Sequence, residues 1–232
     1  SRADRQAKAA AALGSATIEL GAAETAALLA SGVQTTTQSA VADDVRDDAV
    51  AGSGTVRALF IVDEQGALQR VESHEFGGPV GVVLDQSPFY AEAGGQKNDV
   101  GVIDIDGVTL QVRDVQAYAG YVLHTCVASE GTIKVSATAQ ASVDAENRRR
   151  NSINHSMTHA LNWALWTKLG DGVAQRGSDN DAERLRFDFS HGKALTGDEL
   201  EEVEALVNTV IEKDDPIQRA LVPLDEAMKI ES

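Results

Sequence analysis

The sequence predicts an α+β protein: a small antiparallel barrel or sandwich of short strands, followed by a mixed α/β segment. Three observations carry this. Residues 55–143 hold a series of short apolar runs separated by glycine-bearing turns, the pattern of an all-β module. Residues 155–169 switch to a helical period, with Met157, Ala160, Leu161, Ala164, Leu165 and Leu169 on one stripe and Gly170 as the stop. Beyond them, Leu185, Phe187 and Phe189 alternate with polar neighbours as a half-buried strand does.

Taken in order, residues 2–14 are alanine-rich with interspersed charges, which predicts a helix ended by Gly14. Residues 22–30 predict a second short helix closed by Gly32. Residues 34–54 are polar and mixed, and read as a connector. Strands are expected over 55–62, 67–72, 80–84, 101–105, 108–115, 121–128 and 132–143. In the first of these, Val56, Ala58, Phe60 and Val62 share one side, with Leu59 and Ile61 making the other side apolar as well. Thr196-Gly197-Asp198-Glu199 has the form of a capping box. It opens a helix carrying Leu200, Val203, Leu206, Val207, Val210 and Ile211, and Pro216 bars its continuation.

The 232 residues are 43% hydrophobic, enough for one large core or two modest ones. No apolar run approaches the ~18 residues that a membrane span needs, and no basic-then-apolar leader opens the chain. Cys126 is the single cysteine, so no internal disulfide is possible and a cytoplasmic home is expected. A net charge of −16 argues against a general nucleic-acid binder. Arg148-Arg149-Arg150 is a local exception that reads either as a solvated segment or as a phosphate-facing patch.

His155 and His159 are the strongest candidates for chemistry. Four residues apart, they fall one turn apart on one face of the expected helix. That spacing suits two imidazole ligands of one divalent metal, although a purely structural pair has the same spacing. Ser156 stands where a zinc protease carries its glutamate, which removes that reading. Cys126, His74, His124 and His191 could complete a ligand set, but none has a local spacing that says so. Gly94-Gly95-Gln96 allows close backbone approach to a ligand, or simply links two strands. It is not a phosphate loop of the Walker or G-x-G-x-x-G kind. Gln175-Arg176-Gly177-Ser178 reads as a loop beside whatever the histidines hold.

Four segments together resemble the alanyl-tRNA synthetase family. They are residues 84–101 with Gly94-Gly95-Gln96, then Asn154-His155-Ser156-Met157-Thr158-His159 against the family's N-H-T-A-T-H, then Gln175-Arg176-Gly177-Ser178, then residues 185–191. Order and spacing agree over residues 55–216, and the first 50 residues match weakly. The resemblance implies three parts: a helical end of the tRNA-recognition region and linker (1–50), a β-barrel (51–145), and a partial α/β editing domain of the threonyl/alanyl-tRNA synthetase type (146–232).

It further implies zinc held by His155 and His159 together with a later C-x-x-x-H. Thr158 and Gln175 are the implied catalytic-site residues, shaping the amino-acid pocket and sitting near the scissile ester. Gly94, Gly95 and Gln96 would lie beside that site, and Arg148, Arg149 and Arg150 would meet the phosphates of tRNA(Ala). The activity implied is attachment of alanine by an ATP-dependent core outside this sequence, plus hydrolysis of Ser-tRNA(Ala) and Gly-tRNA(Ala). Partners would be tRNA(Ala), the remaining synthetase domains and a second copy through a C-terminal region. No C-x-x-x-H occurs in the chain, so an interior fragment without activity of its own is expected. A freestanding trans-editing deacylase, a non-catalytic tRNA-docking module, and a release-factor-like hydrolase built on Gly94-Gly95-Gln96 are the alternatives.

Overall fold

The computed structural model describes residues 18–39, 50–75, 78–128, 130–170 and 172–216, with positions 222, 223 and 226. The helix expected over 2–14 lies outside the described residues. Helix α1 (Ala22–Ala30) forms as expected, and the Ser31 and Gly32 amides close its end, with Gly32 at φ 77°. Strands β1 (Thr37–Gln38) and β2 (Ala51–Val62) follow. The expected polar connector is therefore partly strand: Gly52 and Gly54 lie inside β2, where Gly54 passes against the Gln86 carbonyl.

Next come β3 (Leu68–Val71), β4 (Ser73–Glu75), β5 (Val80–Leu84), β6 (Gln86–Ser87), β7 (Gly101–Ile105), β8 (Val108–Tyr118), β9 (Tyr121–Val127), β10 (Thr132–Lys134) and β11 (Thr138–Val143). In the order β2-β5-β9-β8-β7-β11, six antiparallel strands close on themselves through the β11–β2 pairing, and β3 hangs beside β2. The expected small antiparallel barrel is borne out. Closure removes the edges that an open sheet would expose.

The expected grouping of Val56 with Ala58, Phe60 and Val62 is corrected. Register shifts between Val56 and Ala58, where β2 meets β5. An extra residue in a strand reverses the side to which every later side chain points. Val56, Leu59 and Ile61 thus pack with the barrel interior, while Ala58, Phe60 and Val62 pack outside it with Ile18, Leu20 and Leu28. Strand β5 is buried along its whole length because both of its faces are covered. Val80, Val82 and Leu84 join the interior with Ile103, Ile105 and Leu110, and Val83 joins the outer cluster under α1.

The single strand expected over 132–143 is two strands. Ser136 adopts a left-handed backbone (φ 70°) and donates its amide to Val56 at 2.8 Å. The kink lets β10 leave the barrel and pair with β4, while β11 stays in the wall.

Helix α2 (Ala145–Leu169) starts ten residues before the expected position. Residues 145–154 carry no apolar stripe, so period alone does not reveal them. The start is set by Asp144, whose carboxylate caps the Asn147 amide at 3.0 Å. Gly170 ends the helix as expected. Then β12 (Gln175–Asn180) and β13 (Leu185–Phe189) form a hairpin. The segment expected as a loop at Gln175–Ser178 is strand, because pairing with β13 supplies what its polar side chains do not.

Helix α3 (Gly197–Lys213) opens on the expected capping box, with both Thr196–Glu199 bonds present. A small core of Ala164, Leu165, Val173 and Val203, with Phe187, Phe189 and Leu206 against it, joins α2, the hairpin and α3. No helix among the described residues is long and apolar enough to cross a membrane.

Candidate functional site

Helix α2 carries His155 and His159 on one face with their rings stacked, centroids 5.4 Å apart and planes 25° from parallel. His155 is half-buried and His159 exposed. Burial first, and His159 second, hold the His155 imidazole below its ordinary pKa, so the ring favours its neutral, ligand-competent form.

The loop before β7 reaches this face. Gln96 is 7% exposed, and its Oε1 lies 2.9 Å from His155 Nδ1. Gly94 (φ 59°) passes so close that a Cβ there would sit 3.8 Å from His155 Cε1. Gly95 (φ 83°) is packed against β12, where a Cβ would fall 2.2 Å from Ser178 Oγ. Backbone bonds fasten the loop to the hairpin: Asn180 N–H donates to Gly95 at 2.7 Å, and Lys97 N–H donates to Asn180 at 2.9 Å. The Lys97 ammonium adds ion pairs to Glu92 at 2.9 Å and Asp179 at 3.2 Å.

Thr158 faces inward. Its buried hydroxyl lies 3.0 Å from the Asn154 carbonyl and 3.0 Å from Asn180 Oδ1, and its single proton serves the two. Asn154 in turn donates to the Asp181 carbonyl at 2.7 Å. Asn180 is fully buried, and its Nδ2 has no hydrogen-bond partner among the described residues. Gln175 opens β12, is exposed, and donates to Ser178 Oγ at 3.4 Å. The structure therefore brings His155, Gly94, Gly95, Gln96, Ser178 and Asn180 together, with Thr158 behind them and Gln175 at the edge. Asn180 and Lys97 had no signal in the sequence; only the pairing of loop and hairpin reveals them.

The three arginines do not act as one cluster. Arg148 is buried (5% exposed), and its guanidinium pairs with Asp99, which also accepts from the Tyr90 amide at 2.7 Å. A side chain so placed is not available to a phosphate, which corrects the expectation for this residue. Arg149 and Arg150 are exposed and bond Glu146 at 3.4 and 2.8 Å.

Zinc takes three or four protein ligands in most sites. Among the described residues, no group of three His, Cys, Asp or Glu side chains could hold a metal. His124 and Cys126 are buried in the barrel core, and His191 lies against Phe189. The suggestion that these complete the set is not met. His155 and His159 fit as two ligands: an amide oxygen on Nδ1 leaves His155 Nε2 with its lone pair, the arrangement seen behind metal-bound histidines.

The chain is a member of the class II (A) tRNA synthetases, the family that matches residues 7–147. Over most of its length it is similar to alanine–tRNA ligases: 43% identical over 180 residues to that of Jannaschia sp. (strain CCS1), covering 78% of this chain and 20% of the relative. It is 42% identical over 192 residues to the ligase of Caulobacter sp. (strain K31), covering 83% and 21%, and 43% identical over 146 residues to that of Shewanella loihica, covering 63% and 17%. The chain spans about a fifth of the length of the curated relatives it matches. The resemblance read from its motifs is borne out.

Proposed function

We propose that this chain is the barrel and the first half of the editing domain of an alanyl-tRNA synthetase, working on tRNA(Ala) in the cytoplasm. Attachment of alanine with ATP belongs to other parts of such an enzyme, as does any pairing of two copies. The observation that carries the editing reading is His155 and His159 one turn apart on α2, with Gln96 set on His155 Nδ1. A pocket built for alanine rejects glycine by only about 1–3 kcal/mol, and serine adds only a hydroxyl. A second, hydrolytic site supplies the missing discrimination.

His155 and His159 would hold zinc as two of its ligands. Bound there, zinc supplies Lewis acidity at the ester or a more acidic water. The chain's own groups do the rest. Gln96 orients His155, Gly94 and Gly95 bring backbone close to the substrate end, and Thr158 with Asn180 forms a polar floor. Gln175 stands at the rim beside Ser178.

The test is deacylation of Ser-tRNA(Ala) by a complete ligase containing this segment. The expected result is activity lost on chelation and in His155→Ala/His159→Ala, with alanylation retained. Full deacylation by that double variant would overturn the reading. One observation favours a second reading, a tRNA-docking module: the described residues supply two metal ligands and no third. Chain 1–232 binding tRNA(Ala) while the complete ligase hydrolyses nothing would select it. A release-factor-like use of Gly94-Gly95-Gln96 is disfavoured, because the Gln96 side chain is nearly buried and turned to His155.

A further inference from the structure

Gln96 does more than line the site. Its Oε1 accepts, and at 2.9 Å from His155 Nδ1 it pairs with the ring that carries its proton there. The lone pair is then confined to Nε2. The Gln96 backbone is held in place beside the ring. It is 7% exposed, and its backbone is bridged on one side to Ala93 and on the other to Asn180. Asn180 N–H to Gly95 and Lys97 N–H to Asn180 clamp the residues on either side. A free imidazole prefers the opposite tautomer, with the proton on Nε2, which would close that nitrogen to a metal.

We infer that Gln96 is the positioning residue that fixes His155 as the Nδ1–H tautomer and so leaves its Nε2 lone pair for a ligand; this rests on the metal reading above only for its purpose, not for its geometry. Gln96 touches no reacting atom. It acts through His155, as carboxylates and carbonyls do behind histidine ligands elsewhere.

The experiment is two-part, the first on the 232-residue chain. Nitrogen-15 NMR of the imidazoles, in chelator-treated protein at neutral pH, reads the His155 tautomer directly. The wild type is expected as Nδ1–H. Gln96→Ala is expected to move the population toward Nε2–H, and Gln96→Glu, which keeps an acceptor oxygen, to restore Nδ1–H. Unchanged barrel amide signals in both variants show that the fold holds, since the bridging bonds of Gln96 are backbone bonds. Zinc and cobalt affinity of a complete ligase containing this segment, by chelator competition, is the second readout. Loss of a group behind a histidine ligand typically costs 10–100-fold, so Gln96→Ala should weaken binding by that range and Gln96→Glu should not. A wild-type Nε2–H ring, or a tautomer indifferent to Gln96→Ala, overturns the proposal. A tautomer that shifts as expected, in a complete ligase whose metal affinity is indifferent to His155→Ala, supports the positioning role and counts against the metal reading instead.

Discussion

Arg148 and Asp99 form a buried ion pair that pins the start of α2 to the loop leading into β7. Arg148 is 5% exposed and Asp99 0%, so neither charge has water to fall back on. Removing one partner from such a pair costs about 3–5 kcal/mol, because the other stays buried and uncompensated. Arg148→Ala should lower the urea-unfolding free energy by that amount. Arg149→Ala, which loses only an exposed contact with Glu146, should change it by no more than ~0.5 kcal/mol. Equal effects of the two would show that the Asp99 contact is not what holds the helix.

The same division sets an expectation for RNA. Each phosphate neutralised contributes a little under one to the slope of log affinity against log salt. Arg149→Glu with Arg150→Glu, in a complete ligase, should reduce that slope for tRNA(Ala). Arg148→Met should leave the slope alone and show its effect in stability. Filter-binding titrations across a salt series measure both.

His124 gives the barrel an acid limit. Its Nδ1–H donates to the Val82 carbonyl at 2.9 Å, and its Nε2 meets Ser87 Oγ at 2.7 Å, which satisfies a neutral ring. Complete burial pushes its pKa down to about 4, against 6.5 when exposed. Above pH 6.5 both folded and unfolded chains hold it neutral, and it adds no pH dependence. Below 6.5 the unfolded chain takes a proton that the folded chain refuses until pH 4. Stability should therefore fall across that window by about 1.4 kcal/mol per pH unit, roughly 3 kcal/mol in all. The difference between wild type and His124→Gln, followed by urea unfolding from pH 7 to 4, isolates this ring from the acids.

Gly95 is a test of the loop. Its φ of 83° disfavours any side chain, and a Cβ would fall 2.2 Å from Ser178 Oγ and 2.8 Å from the Ser178 carbonyl. Gly66 has a similar φ of 82° with nothing within 4 Å. Gly66→Ala should show backbone strain alone, about 1 kcal/mol. Gly95→Ala should cost more and shift the amide signals of Gln96 and Asn180. If Gly95→Ala leaves those signals in place, the close packing of loop on hairpin is wrong.

Much of this was readable beforehand, and the exceptions are instructive. Alternation and glycine turns revealed the barrel strands, and the Thr196 box revealed α3, because those signals are local. The face reversal in β2 was hidden because a bulge changes parity without changing composition. The first ten residues of α2 were hidden because they bury Arg148 and Asn151 instead of an apolar stripe. At the site, His155 and His159 stood out by spacing. Asn180 did not, since its part comes from pairing with a loop 84 positions earlier in the chain, at Gln96.

That pairing ties the barrel to the hairpin beside the histidine helix. Gln96 and Asn180 run side by side as one parallel bridge, so the hairpin cannot swing away without shedding the bonds at Gly95 and Lys97. A segment trimmed to begin at residue 146 would retain His155 and His159 yet lose Gln96 and Gly94, the two residues that meet His155 from the loop. Anyone excising the histidine helix as a separate piece would have to carry the barrel along.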